Sequence, residues 1–171
     1  AVAYCDDAYA FAALDFVRIN ARNYQKTGKP FFGLLATQIP HAPFNEISHL
    51  PNWDHAYEDD PAFKNLSPQA QQWAAMVTRM DAHFGHLLSA LEDPNQGGDT
   101  SDSIADNTLA IFQSDNGGPR GSSHTVFDSN GGLRGSKGKI QEGGIRVPLV
   151  MRWPSVIHSK SKLKAGTQCA R

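Results

Sequence analysis

Two short apolar runs, residues 31–37 and 108–112, constrain this chain most, because each is almost unbroken by polar residues and each stops at turn formers. A strand with apolar side chains on both faces must be covered on both sides, and such strands belong to parallel sheets layered with helices. The first run closes at Pro40. The second breaks at Ser114-Asp115-Asn116-Gly117-Gly118.

Helical periods separate the two runs. Phe11, Leu14, Arg18 and Ala21 fall at helical intervals after Asp6 and Asp7, which are placed to cap a helix over about residues 6–27, and Gly28 is its natural stop. Ser67-Pro68 supplies a cap and a first-turn proline, after which Trp73, Val77, Met80, Phe84, Leu87, Leu88 and Leu91 recur at steps of three and four. Residues 94–106 are rich in Gly, Asp and Ser without an apolar period and read as an exposed connection of variable conformation. Residues 131–144 form a second glycine-rich excursion, and residues 145–153 return to a strand-like apolar stretch. The alternation predicts an α/β fold, a mostly parallel sheet flanked by helices with right-handed crossovers, and ligand chemistry beyond the carboxyl ends of the strands. The loops at Pro40-His41-Ala42-Pro43 and Asp115-Asn116-Gly117-Gly118 are both expected there, facing one cleft.

The 171 residues suit one domain. Sixteen basic and seventeen acidic side chains nearly cancel, which removes any electrostatic case for wrapping nucleic acid or lying on an anionic membrane. The longest apolar stretch, residues 30–36, is far too short to span a bilayer, and the first residues lack the pattern of a signal peptide. Cys5 and Cys169 stand at opposite ends; a bridge between them is allowed but not required. Asn65-Leu66-Ser67 fits the glycosylation pattern, yet Pro68 follows it and such triplets arise by chance.

Few residues carry chemistry by pattern alone. Asp115 and Asn116 offer a carboxylate and an amide oxygen at a strand end, the donors a hard cation such as calcium takes, although Asp, Asn and Gly are also the commonest turn formers and spacing alone favours the turn. His41 between prolines can donate to an anionic oxygen or a leaving group, or be an ordinary loop residue. Lys137 and Lys139, among glycines and after Arg134, suit a phosphate or sulfate contact, but the nucleotide-binding pattern fails at Leu133 and Ile140. His83 and His86 lack a carboxylate to complete a zinc set and read as a solvated helix face. Asp6-Asp7 reads as a helix cap rather than a metal pair.

Pro30-Phe31-Phe32, Pro40-His41-Ala42-Pro43, Met80-Asp81, residues 107–118, Leu133-Arg134-Gly135-Ser136-Lys137-Gly138 and Glu142-Gly143-Gly144-Ile145-Arg146-Val147-Pro148 agree in identity, order and spacing with the sulfatases. The resemblance covers residues 30–154 and reverses the turn reading of Asp115 and Asn116. It implies an alkaline phosphatase-like fold and a calcium-dependent sulfuric ester hydrolase. Within it, Asp115 and Asn116 are metal ligands, His41 contacts the sulfate or leaving-group oxygen, and Lys137 binds a sulfate oxygen. The implied substrate is a small sulfate ester or a sulfated carbohydrate, and the implied location is exported: periplasmic, extracellular or lysosomal.

In that family a Cys or Ser in a Cys/Ser-x-Pro-x-Arg stretch becomes the formylglycine nucleophile. No such stretch occurs here, and Cys5 is followed by Asp6-Asp7-Ala8. The sequence therefore reads as part of a sulfatase catalytic domain without the nucleophile strand and without the carboxyl-terminal subdomain, inactive by itself. A phosphodiester or phosphonate ester hydrolase of the same superfamily and a non-catalytic, degenerate homologue are the alternative readings. Substrate identity and oligomeric state are not written in these residues.

Overall fold

Gly28 ends the first helix where the sequence places the stop. In the computed structural model, which describes residues 4–44, 59–121 and 126–157, helix α1 spans Cys5–Thr27. Gly28 follows at φ 69° and its N–H donates to the Tyr24 carbonyl at 2.7 Å, a left-handed cap that costs glycine nothing.

The start of α1 corrects the capping expectation. Tyr4 is the N-cap, and Asp6 and Asp7 lie inside the first turn with no side-chain cap formed. Both carboxylates reach other segments instead, from a position where the positive end of the helix dipole still favours them. Asp6 Oδ1 accepts from the Thr37 hydroxyl at 2.7 Å and from Gln38 N–H at 3.0 Å, while Asp7 engages Arg79 and His83.

A short helix α2, Pro61–Lys64, is capped by Asp60, and the long helix α3, Pro68–Glu92, is capped by the Ser67 hydroxyl, which accepts from Ala70 N–H at 3.3 Å. The predicted apolar stripe of α3 is not its deepest face. Ala75, Met76 and Arg79 are the buried residues in its middle, whereas Trp73, Val77, Met80 and Phe84 are half-buried. Those rings have partners elsewhere: Trp73 stacks on Phe127 with centroids 5.0 Å apart, and Phe84 tilts against Phe112 at 5.4 Å. α3 thus presents Arg79 to α1 and Phe84 to the sheet.

The end of α3 and the turn after it build the core. Ala21, Leu91, Ile104 and Ala105 are buried together, with Val17, Tyr24, Phe31, Leu88 and Ala110 packed around them. The connection expected to be exposed over residues 94–106 is exposed at its tip, residues 95–101, but Pro94, Ile104 and Ala105 are buried, and its backbone is held by hydrogen bonds. Asp93 accepts from Gly97 and Gly98 N–H, Asp102 from Asn95 N–H at 3.0 Å, and Ile104 N–H reaches the Leu91 carbonyl at 2.9 Å. A one-turn 3-10 segment, Ala105–Asn107, leads into strand β1.

β1 (Ala110–Gln113) pairs with β2 (Leu149–Arg152) in an antiparallel ladder that sets Ala110 opposite Arg152 and Gln113 opposite Leu149. Among the described residues between them, 114–121 and 126–148, the one helix is α4, Glu142–Ile145, four residues and too short to be the crossover that parallel neighbours require. The expected crossovers therefore do not lie between these strands. Burial on both faces is not observed either, since β1 alternates half-buried with exposed positions and β2 is mostly exposed.

Residues 31–37 correct a second expectation. They belong to no ladder among the described residues, and Phe32 and Leu34 are 85% and 83% exposed. Apolar content prepares a segment for a sheet, but only a partner's N–H and C=O groups make it a strand. Here the segment is held at its ends, by Phe31 edge-on to Phe16 at 5.8 Å and by the Asp6 carboxylate at Thr37 and Gln38. No described helix is long and apolar enough to cross a membrane.

Candidate functional site

The site begins where β1 ends. Ser114 turns the chain, its hydroxyl donating to the Asn116 carbonyl at 2.8 Å, and Asp115 and Asn116 follow directly at the carboxyl end of the strand, as the sequence predicts. Asn116 Nδ2 donates to Asp115 Oδ1 at 2.8 Å. That bond turns the Asn116 amide so that its carbonyl oxygen points elsewhere, and among the described residues it accepts no hydrogen bond. The exposed carboxylate and this amide oxygen are hard donors suited to a hard cation. They are only part of a shell. Among the described residues no group of three or more His, Cys, Asp or Glu side chains gathers to hold a metal.

Glycines explain how a second loop comes so close. Gly117 N–H donates to the Gly144 carbonyl at 3.0 Å, and a Cβ on Gly117 would lie 1.9 Å from the Gly143 carbonyl oxygen. A Cβ on Gly144 would meet the Lys139 carbonyl oxygen at 2.0 Å, and one on Gly143 the Gly135 carbonyl oxygen at 2.5 Å. Backbone packs on backbone with no room for a side chain between. Within this union Lys137 N–H donates to the Gly118 carbonyl at 3.0 Å, which seats the root of the Lys137 side chain against the loop that carries Asp115 and Asn116. Lys137 itself is exposed, and among the described residues its ammonium has no hydrogen bond or ion pair.

His41 is held by a different segment of the chain. Its N–H donates to the Gln38 carbonyl at 2.9 Å, so its loop is tied through Gln38 to Asp6 of α1. His41 Nδ1 lies 2.6 Å from the Ala42 carbonyl oxygen; a carbonyl only accepts, so Nδ1 carries the proton and Nε2 is the nitrogen left for other partners. Among the described residues no hydrogen bond or ion pair joins His41 to Asp115, Asn116 or Lys137.

Two residues escape a reading of the sequence alone. Asn130 brackets Gly118, accepting from its N–H at 2.7 Å and donating to its carbonyl at 3.2 Å. The signal for it is the turn pattern Asp128-Ser129-Asn130-Gly131-Gly132. Arg79 is fully buried and pairs with Asp7, and His83 also donates to that carboxylate. His83 is thus a half-buried interhelical group rather than part of a solvated face, whereas His86 is exposed as expected.

Burial pushes the Asp7 carboxyl up, but hydrogen bonding and charge from Arg79, with His83 assisting, outweigh that and hold it below its ordinary value. His83 moves down chiefly because burial disfavours its charged form, with Arg79 adding to the shift against the pull of Asp7. At neutral pH it is an uncharged donor.

Comparison with known proteins identifies the family. The sulfatase family model matches residues 3–168. A sulfatase of Formosa agariphila is 38% identical over 91% of this chain and 26% of its own length. Human N-acetylgalactosamine-6-sulfatase is 32% identical over 85% of the chain and 23% of its own length. The crystal structure of Ps i-CgsB in complex with k-i-k-neocarrahexaose superposes with a TM-score of 0.66 at 31% identity, covering 90% of this chain and 29% of that one. The chain thus spans about a quarter of the length of these two curated relatives. With a match over nearly its whole length and an alkaline phosphatase-like α/β architecture, the chain belongs to the sulfatase family.

Proposed function

We propose that these residues form part of the catalytic domain of a sulfuric ester hydrolase, with Asp115 and Asn116 as calcium ligands and Lys137 as the cation for a sulfate oxygen. The observation that supports the reading is the backbone union of the Asp115-Asn116-Gly117-Gly118 loop with the loop of Lys137, whose ammonium has no partner among the described residues. Sulfatases are in general metal-dependent. Calcium bound here would supply positive charge to offset the negative charge on the transferring sulfuryl group.

This chain's own residues supply the rest. Lys137 binds and orients the anionic ester as a point charge. His41, with its Nδ1 proton held by the Ala42 carbonyl, contacts the sulfate or the leaving-group oxygen through Nε2. Donation from Nε2 requires the doubly protonated ring, so the histidine must enter that step as imidazolium. The nucleophile is proposed to come from outside these residues, since no Cys/Ser-x-Pro-x-Arg stretch lies among them.

A sulfated carbohydrate is the proposed substrate class, in an exported setting. Its support is the k-i-k-neocarrahexaose in complex with one structural neighbour, Ps i-CgsB, and the amino-sugar sulfate in the name of one relative, N-acetylgalactosamine-6-sulfatase. The test is to assay the full-length enzyme on sulfated oligosaccharides, an aryl sulfate and an aryl phosphate diester, with calcium and after chelation. Calcium-restored sulfate release is the expected result, and a preference for the phosphate diester would overturn the reading.

A further inference from the structure

Gly118 lies two residues after the proposed ligand Asn116, and both of its backbone polar groups are taken. Its N–H donates to Asn130 Oδ1 at 2.7 Å, and its carbonyl accepts twice, from Asn130 Nδ2 at 3.2 Å and from Lys137 N–H at 3.0 Å. Asn130 Nδ2 also lies 3.4 Å from the Gly135 carbonyl, two residues before Lys137. One amide side chain therefore touches the loop of the oxygen donors and the loop of the lysine together. Its two ends are not interchangeable, because the oxygen faces an N–H and the nitrogen faces two carbonyls.

Asn130 is itself held. Gly131 N–H donates to the Asp128 carbonyl at 2.7 Å, Gly132 N–H to Asp128 Oδ1 at 2.9 Å, and Leu133 N–H to the Asn130 carbonyl at 3.1 Å. Gly131 and Gly132 have φ of 59° and 71°, so glycines carry the left-handed turn that aims the amide back at Gly118. The fit at Gly118 is close, with a Cβ there meeting Ser129 Cβ at 3.0 Å and Asn130 Oδ1 at 3.1 Å.

We propose that Asn130 is a positioning residue of the sulfatase site: by clamping both backbone groups of Gly118, it fixes the separation between the Asp115-Asn116 oxygens and the Lys137 ammonium. The inference rests on the functional reading given above for those three residues. It concerns a residue outside the proposed set of metal ligands and sulfate contacts. Sulfuryl transfer gains from fixed charges only when they stand where negative charge develops, so loosening the separation lowers turnover more than ground-state binding.

The experiment compares wild-type full-length enzyme with Asn130→Ala and Asn130→Asp. Asn130→Asp is nearly the same size, keeps the acceptor for Gly118 N–H, and turns a carboxylate oxygen toward the Gly118 and Gly135 carbonyls. Amide hydrogen exchange at Gly118 and Lys137, measured in calcium-free protein, tests the clamp without activity. Asn130→Ala should speed exchange at Gly118 by about tenfold or more, the equivalent of one lost hydrogen bond. Turnover of an aryl sulfate at saturating calcium, per active site, tests positioning: kcat should fall by about tenfold or more in both variants, with KM changed by less than about threefold.

Unchanged exchange at Gly118 in Asn130→Ala overturns the clamp, whatever the enzyme's function. Faster exchange with unchanged kcat leaves Asn130 purely structural and overturns the positioning role. If Asn130→Ala does not fold, Asn130→Asp decides alone, and wild-type kcat in it overturns the proposal. Wild-type enzyme that ignores calcium and sulfate esters fails the functional reading instead, a result visible before any variant is made.

Discussion

The guanidinium of Arg79 on α3, fully shielded from solvent, donates from Nε to Asp7 Oδ1 on α1 at 2.8 Å. Its terminal nitrogen bonds the other carboxylate oxygen, its carbon sits 4.2 Å above the Tyr4 ring, and His83 Nε2 meets Asp7 Oδ1 at 3.0 Å. Two helices that also share the apolar core around Ala21 and Leu91 are thus joined by a bidentate ion pair. Such a pair adds little net stability when whole, but removing one partner leaves a buried charge without its counter-charge.

Asp7→Asn should therefore destabilise the protein by roughly 3 kcal/mol. Arg79→Met, which keeps the volume and removes the charge, should rescue part of that loss when combined with Asp7→Asn. Urea unfolding of the two single variants and the double variant measures both effects. A double variant as unstable as the sum of the singles would mean that the two side chains are not coupled.

The same cluster makes stability depend on pH, in one direction for both groups. The Asp7 carboxyl is held below 3.8 in the folded state, so its contribution is present above that value and is lost as pH falls through the folded one. His83 is held below 6.5, so the unfolded chain takes up the proton first, and stability declines as pH falls from about 6.5 toward the folded value. Urea midpoints should fall between pH 7 and 5 in wild type and fall less in His83→Gln. Equal slopes would remove His83 from the account.

Local signals are legible in the sequence where one residue type answers one geometric demand. Gly28 at the end of α1, Ser67-Pro68 at the start of α3, and Asp115-Asn116 after β1 all stand where their chemistry places them. What escapes is set by partners far away in the chain. Asp6 and Asp7 carry the signature of a cap, and nothing local reveals that Thr37, Gln38, Arg79 and His83 claim them. Arg79 interrupts the helical apolar count and so draws no notice, although an arginine flanked by Met76 and Met80 on one helix hints at a buried charge. Residues 31–37 have strand content, but pairing belongs to whatever lies alongside them. Asn130 is hidden because its role is set by Gly118 and Gly135 coming together.

Two glycine substitutions should move stability in opposite directions. Gly117→Ala puts a methyl 1.9 Å from the Gly143 carbonyl oxygen, so the two loops must part, at about 1–3 kcal/mol. Gly85 lies within α3 with nothing within 4 Å of an added Cβ, and Gly85→Ala should stabilise by about 0.5–1 kcal/mol through helix propensity. Thermal unfolding compares them directly; a neutral Gly117→Ala would contradict the close loop packing.

Asp115→Ala should lower calcium affinity and activity together, because the only charged oxygen donor of the proposed pair is lost while Asn116 loses the acceptor that orients its amide. Calorimetric titration with calcium reads the first effect and sulfate release the second. Calcium binding unchanged by the substitution would move the metal site elsewhere.

Lys137 and Lys139 should separate in kinetics although both are exposed and lie two residues apart. Lys137 is rooted at the Gly118 carbonyl, beside the loop of the proposed ligands, whereas Lys139 N–H bonds Ser136 and its carbonyl backs onto Gly144, on the α4 side of the same turn. A charge that stabilises the transferring sulfuryl group must stand where negative charge grows, and its removal typically costs on the order of a hundredfold in kcat. Lys137→Ala in the full-length enzyme should show a loss of about that size, and Lys139→Ala a loss below about tenfold, that of a screened surface charge acting at a distance. Lys137→Arg sharpens the test, since a planar guanidinium keeps the charge but not the compact ammonium and should recover only part of the rate. Equal losses in Lys137→Ala and Lys139→Ala would show that the turn acts through its overall positive potential, and the assignment of the sulfate contact to Lys137 would fall.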